Sequence, residues 1–274
     1  MEPSPVNLFE YGATNDSISA EWTKPSGAID QYTFSCSDGT EDPSSPIVED
    51  GTYIYQISCE GLSTAGANYT ITVTSQSGDE SSYESTITIT AYPNSAVLRS
   101  SEITTRQITV QWDDPEGEED YFIVDCGADW STEFILNHDQ GKDNTFEATC
   151  NVSIAEAPYD VTVTSVSGDK ESPVTMTFTA ATPDVVTFED SSSNTTSVTV
   201  TWNVLTGADW FRVECSEGFP SPDYYLPGSA TEVTCIWVTS GGNHSISVIT
   251  RENNGESPAM VAYIVAGKLI FHVH

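Results

Sequence analysis

Positive charge is what this 274-residue sequence lacks most: 8 lysine and arginine residues stand against 41 aspartate and glutamate residues, a formal net charge of −33. Binding to nucleic acid needs a basic surface that neutralises phosphates, so nucleic acid is excluded as a partner. Anionic membrane surfaces are disfavoured for the same reason. The charge is explained most simply as a solvated surface that keeps molecules apart, and it would attract cations or basic proteins.

Long apolar runs and targeting signals are also missing. No apolar run of about 18 residues occurs, so the sequence predicts no insertion into a membrane. The first residues, Met1 to Pro5, have neither the basic region nor the apolar stretch of a signal peptide. If the cysteines are bridged, we expect the chain to be a segment of a longer, secreted protein.

Motifs of catalysis are equally scarce. The sequence has no nucleophile elbow and no glycine-rich phosphate loop, and it contains only four histidines. It has no Arg-Gly-Asp motif either. We therefore predict that the chain is not an enzyme and uses no cofactor.

What the sequence does contain is one stretch that occurs three times. Each copy runs from a tryptophan through a glycine turn to an alternating strand that ends in cysteine: Trp22 to Cys36, Trp112 to Cys126 and Trp202 to Cys215. The tryptophans are 90 residues apart, and such a fixed period indicates repeated units. The sequence predicts three units, residues 1–92, 93–182 and 183–274. Their short linkers contain proline and favour a semi-rigid rod.

Short alternating segments at regular spacing predict strands throughout. We expect a first strand at Val6 to Phe9, and a polar loop or weak edge strand over residues 37–52. No segment has the pattern of a long helix, which favours antiparallel sandwiches. The tail, residues 267–274, has no counterpart in the other units, so it is either an extra strand or the start of a further segment.

The repeated pattern resembles the fibronectin type III module. The resemblance rests on the strand that ends at Trp22, the Pro-x-Gly turn after it, the Tyr-x-Phe strand, and Leu62 placed seven residues before Tyr69. It covers the whole chain and implies an all-β fold of three tandem immunoglobulin-like antiparallel β-sandwiches.

The resemblance also assigns a tyrosine corner to each unit. Tyr69 and Tyr159 occupy that position, whereas His244 replaces the tyrosine in the third unit and puts the corner hydrogen bond in doubt there. The same alignment matches Trp237 with Leu62.

Two short runs are similar to the ectodomains of receptor-type tyrosine phosphatases of the vascular endothelial and related classes. One is Gly27 to Tyr32, and the other occurs twice, at Val73 to Asp79 and at Val163 to Asp169. No phosphatase domain is present.

Cysteines are a departure from the family, because most of its modules have no disulfide. Six cysteines allow 15 pairings. The triplication reduces these to one pair per unit: Cys36 with Cys59, Cys126 with Cys150, and Cys215 with Cys235. The family's strand order places the two members of a pair in opposite sheets, so each bond should join the two sheets. Zinc is the alternative, but it prefers closer spacing and further ligands.

N-glycosylation sequons occur five times, at Asn15, Asn68, Asn151, Asn194 and Asn243. Two pairs occupy matching positions in different units, Asn15 with Asn194 and Asn68 with Asn243. With the cysteines, they predict a glycoprotein with N-linked glycans. The alternative is chance occurrence in a chain rich in serine and threonine.

Three features are not shared between the units and are therefore candidates for function. The acidic run Asp113 to Asp120 is a calcium candidate, although it lacks an EF-hand loop and also fits a solvated turn. The loop at residues 219–227 contains Phe219, Tyr224 and Tyr225, which either anchor a partner or pack on their own sandwich. The tail contains His272 and His274, a weak candidate for a metal pair.

These observations predict a non-catalytic extracellular rod that binds another protein, as part of a cell-surface receptor or adhesion ectodomain. The alternative is a structural segment of an extracellular fibre or matrix protein that associates with itself. In that case the tail would add a strand to a neighbour's sheet.

Overall fold

The computed structural model describes residues 3–43, 47–49, 52–127, 134–137, 145–220, 224–267 and 272–273. The regular secondary structure of these residues is β-strand throughout. Within the same ranges, no helix has the length and apolar character needed to cross a membrane.

The first sandwich forms around the buried indole of Trp22. Its strands are β1 (Phe9–Ala13), β2 (Ser17–Thr23), β3 (Gln31–Cys36), β4 (Thr40–Pro43), β5 (Ile47–Glu49), β6 (Thr52–Glu60), β7 (Asn68–Ser77), β8 (Glu80–Ser81) and β9 (Ser85–Thr90). One sheet has the order β1-β2-β6-β4, with β5 also on β6, and the other pairs β3, β8 and β9 with β7. Residues along β2 alternate between core and surface because only one face of its sheet is buried.

The predicted first strand is wrong in its bounds, since β1 begins at Phe9 rather than at Val6. The carbonyl groups of Ser4 and Val6 accept hydrogen bonds from the side chains of Ser75 and Ser85, at 2.6 and 2.7 Å. These carbonyls are therefore satisfied by side chains of the opposite sheet. Val6 reaches the core in this extended segment.

The second sandwich repeats the arrangement around Trp112. Its strands are β10 (Arg99–Ile103), β11 (Gln107–Asp113), β12 (Tyr121–Asp125), β13 (Phe134–Asn137), β14 (Thr145–Asn151), β15 (Pro158–Ser167) and β16 (Lys170–Thr179). The two sheets have the orders β10-β11-β14 and β13-β12-β15-β16. Trp112 packs against Phe122 and Phe146, with ring centroids 5.6 and 5.8 Å away.

The third sandwich is built around Trp202. Its strands are β17 (Phe188–Ser193), β18 (Ser197–Trp202), β19 (Trp210–Cys215), β20 (Tyr224–Pro227), β21 (Glu232–Ile236), β22 (Asn243–Glu252), β23 (Gly255–Glu256), β24 (Met260–Val265) and β25 (His272–Val273). One sheet has the order β17-β18-β21, and the other has β20-β19-β22-β24-β25, with β23 on β22.

The edge strand differs between the first sandwich and the other two. In the second and third, the strand after the cysteine strand pairs back onto it, as β13 on β12 and β20 on β19. In the first, β4 crosses to the opposite sheet and pairs with β6. The stretch expected to be a loop or a weak edge strand therefore contains the two short strands β4 and β5.

Each sandwich has its own cluster of buried residues, and all three clusters contain the tryptophan and the paired cysteine strands. With the strand orders, this confirms the all-β fold class: tandem antiparallel sandwiches of the fibronectin type III kind, each with one disulfide.

Candidate functional site

The disulfides are Cys36–Cys59, Cys126–Cys150 and Cys215–Cys235, and none of the cysteines is free. Their Cα atoms are 5.9, 5.5 and 6.0 Å apart, within the usual range. In each pair the two cysteines lie on or beside strands of opposite sheets. The bonds therefore join the two sheets and stiffen each sandwich.

The tyrosine corners are formed by Tyr69 and Tyr159. The hydroxyl of Tyr69 accepts from the amide of Thr64 at 2.9 Å and donates to the carbonyl of Thr64 at 2.8 Å. Tyr159 makes the same pair of contacts with Ile154, at 2.8 and 3.1 Å. Each corner fixes the loop that crosses from one sheet to the other, here called the crossing loop, at residues 61–67 in the first sandwich and 152–157 in the second.

The doubt about the corner in the third sandwich is wrong, because His244 supplies it. Its Nε2 lies 2.9 Å from the carbonyl oxygen of Thr239, five residues earlier, the same offset as in the tyrosine corners. The ring is only 3% exposed, and its Nδ1 lies 3.3 Å from a carboxylate oxygen of Glu217. Hydrogen bonds from Thr239 lower the pKa of Glu217. Imidazole can replace phenol here because either ring carries a polar atom at its tip.

The alignment of Trp237 with Leu62 is also wrong. Val238 occupies the core position of Leu62, and its amide bonds to Thr196 as that of Leu62 bonds to Asp16. Trp237 instead corresponds to Gly61, and both have a left-handed backbone, with φ of 62° and 70°. Trp237 is 72% exposed.

Each sandwich also contains a braced turn, here called the hairpin turn, at residues 77–80, 167–170 and 252–255. An aspartate at the start of the cysteine strand holds it: Asp30, Asp120 and Asp209 accept from the amides of Gly78, Gly168 and Asn253 at 2.7 to 2.9 Å. In the sequence, Asp30 belongs to the run Gly27 to Tyr32, and that run does not show the partner of Asp30 across the sheet.

The first joint, between the first and second sandwiches, is made by the second hairpin turn. The hydroxyl of Ser167 donates to the carbonyl of Gly66 at 2.7 Å. The ammonium of Lys170, a residue only 8% exposed, lies 2.5 Å from the carboxylate of Glu10 and 5.8 Å from the ring centroid of Tyr92. The hydrogen bond to Glu10 raises the pKa of Lys170. A cation is thus enclosed between two sandwiches.

The acidic run contributes its backbone to the same joint. The amide of Glu118 donates to the carbonyl of Ala65 at 2.8 Å, and the side chain of Asn94 donates to the carbonyl of Glu116 at 2.6 Å. Gly66 packs so closely that an added Cβ would lie 1.7 Å from the carbonyl oxygen of Glu118.

The carboxylates of this run serve different purposes. Asp113 forms a bidentate pair with Arg99, both contacts at 2.8 Å, which lowers the pKa of Asp113. Burial, with a hydrogen bond to Asp114, raises the pKa of Glu119 to about 8. Among the described residues, no three side chains of His, Cys, Asp or Glu come together in a way that could hold a metal ion. Calcium at this turn stays a prediction without geometric support.

The second joint, between the second and third sandwiches, is made by the third hairpin turn. The side chain of Asn253 donates to the carbonyls of Thr105 and Val152 at 2.5 and 2.9 Å. The backbone carbonyl of Asn253 accepts from the amide of Ala155 at 2.9 Å. The guanidinium of Arg106 bonds to Asp209 at 2.8 Å, to the carbonyl of Gly207 at 3.1 Å and to Glu252 at 3.3 Å. Both joints therefore place the hairpin turn of one sandwich on the crossing loop of the sandwich before it.

An exposed aromatic patch lies on the third sandwich, made of Phe219, Tyr224 and Trp237. The ring of Phe219 lies 5.5 Å from that of Tyr224 and 6.3 Å from that of Trp237. Backbone hydrogen bonds in both directions, at 3.0 and 2.8 Å, hold Phe219 to Ile236. The rings remain between 37% and 72% exposed, so this part of the loop does not bury its side chains on its own sandwich.

The remaining candidates are placed as follows. All five sequon asparagines lie on the surface, which permits glycosylation but does not test it. In the tail, Val273 pairs with Ala262 and His272 pairs with Tyr263, so β25 extends the sheet of its own chain. The side chain of His272 and the whole of His274 lie outside what the structure describes.

Comparison with known proteins finds no family model that matches the chain. Human tenascin-R is 26% identical over 262 residues, which is 93% of this chain and 19% of tenascin-R. Rat tenascin-R is 32% identical over 124 residues, which is 44% of this chain and 9% of tenascin-R. The chain thus spans about a fifth or less of the length of these curated relatives.

Two solved structures illustrate the structural similarity. A two-domain fibronectin type III segment from chicken tenascin has 18% identity and a TM-score of 0.40, covering 62% of this chain and 98% of that chain. The FN1–FN3 domains of chicken CNTN1 have 11% identity and a TM-score of 0.29, covering 98% of this chain and 100% of that chain.

Proposed function

We propose that this chain is an extracellular, non-catalytic rod that holds protein-binding surfaces in fixed relative positions. The single observation that carries the proposal is the pair of joints, in which the hairpin turns of the second and third sandwiches are each bonded to the crossing loop of the sandwich before. The first joint encloses Lys170, and the second is fixed by Arg106 and Asn253. Contacts of this kind restrict bending between neighbouring sandwiches, as a spacer requires.

The disulfides and the sequons support the extracellular part of the proposal. Disulfides persist in oxidising compartments. Five exposed sequon asparagines fit a glycoprotein. The proposed units are residues 1–92, 93–182 and 183–274. These boundaries agree with the buried clusters, because the first ends at Ala91 and the second begins at Ala96, and the second ends at Ala180 and the third begins at Val186.

Two kinds of parent protein fit such a rod. The similarity to tenascin-R favours an adhesion or matrix protein. The runs at Gly27 to Tyr32 and at Val73 to Asp79 favour a receptor ectodomain of the phosphatase type. In either case the partner is another protein, met by surfaces that the three sandwiches do not share.

Secretion of the chain from cultured animal cells, behind a foreign signal peptide, tests the proposal. We expect a monomer with no free thiols, a mass that falls on removal of N-glycans, and a rod-like scattering profile. Free thiols in the secreted protein, or a profile of sandwiches that move independently, would refute it. Concentration-dependent polymers would instead favour the self-associating fibre.

A further inference from the structure

The aromatic patch of the third sandwich contains a residue in a conformation that does not suit it. Trp237 has φ of 62°, a left-handed backbone that is costly for a bulky side chain. The first sandwich has Gly61 at this position, which adopts the conformation without cost. Strain of this kind persists mainly at functional sites.

Packing within the sandwich does not explain the tryptophan, because its side chain is 72% exposed and Val238 fills the core in its place. Gly218 lets the chain bring Phe219 close to Ile236 and Trp237, since an added Cβ at Gly218 would lie 2.0 Å from the carbonyl oxygen of Ile236. The backbone thus presents two large rings side by side. Exposed, clustered aromatic rings are typical anchors of protein interfaces.

The charge around the patch indicates which partner it fits. Between residues 183 and 267 the only lysine or arginine residues are Arg212 and Arg251, and both pair with Glu256 at 2.9 and 3.2 Å. Glu217, two residues before Phe219, adds a carboxylate at the rim of the patch, where it accepts from the amide of Thr239 at 3.2 Å. An anionic partner would be repelled from this surface.

The chain itself shows how a cation meets such rings. The guanidinium of Arg251 lies 5.6 Å from the ring centroid of Tyr225, and the ammonium of Lys170 lies 5.8 Å from that of Tyr92. Cations over aromatic faces at this distance are attracted by the ring quadrupole.

We propose that the aromatic patch, Phe219, Tyr224 and Trp237, is a docking site for an arginine-rich segment of a basic protein. The guanidinium groups of that segment stack on the rings, while Glu217 and the chain's net charge of −33 supply the long-range attraction. This inference rests on the proposed function, because it names the partner of one surface on the rod.

The test measures binding of a fluorescent hexa-arginine peptide to the whole chain by anisotropy at physiological salt. We expect Trp237→Gly to weaken binding by about tenfold, the size of one strong cation–aromatic contact. The same variant should be at least as resistant to thermal unfolding as the parent, because glycine relieves the left-handed strain.

Tyr83→Ser is the matched control, since Tyr83 is 78% exposed beside Glu84 on the first sandwich. It should bind the peptide as the parent does. Unchanged binding in Trp237→Gly would show attraction by net charge alone and overturn the proposal. Equal weakening in both variants would show that any exposed ring contributes and would also overturn it. A dimer of the parent that Trp237→Gly abolishes, without peptide binding, would identify a second copy as the occupant and also overturn it.

The rod is tested separately by scattering. Because Trp237 takes no part in either joint, Trp237→Gly should leave the scattering profile unchanged. Failure of peptide binding with an intact rod would remove this inference alone, whereas loss of the rod in the parent would remove the proposed function.

Discussion

Replacing Gly66 by alanine should open the first joint while the first sandwich stays folded. The added Cβ would lie 1.7 Å from the carbonyl oxygen of Glu118, a contact with backbone that no side-chain rotation relieves. Gly66→Ala therefore opposes two hydrogen bonds, from the amide of Glu118 to Ala65 and from the hydroxyl of Ser167 to Gly66. At about 1 kcal/mol each, their loss amounts to about 2 kcal/mol. This lowers the equilibrium constant for docking of the two sandwiches by about thirtyfold.

Hydrogen exchange at the amide of Glu118 is the most direct measurement, because that amide bonds across the joint. We expect its exchange to accelerate by up to about thirtyfold, while the amide of Ala155 in the second joint keeps its protection. Gly61→Ala is the control. Gly61 has a similar φ of 70° but has nothing within 4 Å of an added Cβ, so it carries only the backbone cost, about 1 kcal/mol. Unchanged exchange at Glu118 in Gly66→Ala, or equal acceleration in both variants, would refute the reasoning.

Three further predictions concern the sandwiches themselves. Tyr69→Phe leaves the amide and carbonyl of Thr64 without their partner. It should lower the free energy of unfolding of the first sandwich by about 1 to 3 kcal/mol in chemical denaturation, and a smaller loss would show that water replaces the hydroxyl. Burial raises the pKa of Glu119 from 4.5 to about 8, so the native state binds the carboxyl proton more tightly than the unfolded state does. The stability gained from this protonation is complete below about pH 4.5 and is lost as the pH rises towards 8. Glu119→Gln should flatten that dependence in thermal unfolding scans, and an unaltered slope would assign it to another group. Reduction of the disulfides, which span 23, 24 and 20 residues, should cost each sandwich about 3 kcal/mol; midpoints that reduction leaves unshifted would contradict this.

The fold was largely predictable from the sequence because its signals are local and occur three times. The repeat period is set by Trp22, Trp112 and Trp202, and the alternation of apolar and polar residues around them predicts the strands. The first strand was misplaced because Val6 is apolar and near the start, and the sequence does not show that the carbonyls beside it bond to serine side chains 71 and 79 residues later.

The candidate sites were less predictable, since they depend on contacts between distant residues. Trp237 was aligned with Leu62 because each lies seven residues before the corner residue of its unit. The third sandwich has one residue fewer between that core position and the corner, so Val238 and not Trp237 fills the core. His244 was doubted because its chemistry differs from tyrosine, although the ring can reach the same carbonyl. The contacts at the joints could not be predicted from sequence patterns, since Lys170 and Glu10 are 160 residues apart.

The two joints share a geometry but differ in chemistry, so the three sandwiches are not interchangeable. The turn of the first sandwich carries Glu80 where that of the second carries Lys170, so it has no ammonium to offer to a carboxylate such as Glu10. A shuffled array, made by recombination between similar repeats, would place unmatched groups against each other at its new boundary. Such products would lack the contacts that hold neighbouring sandwiches together in the present chain.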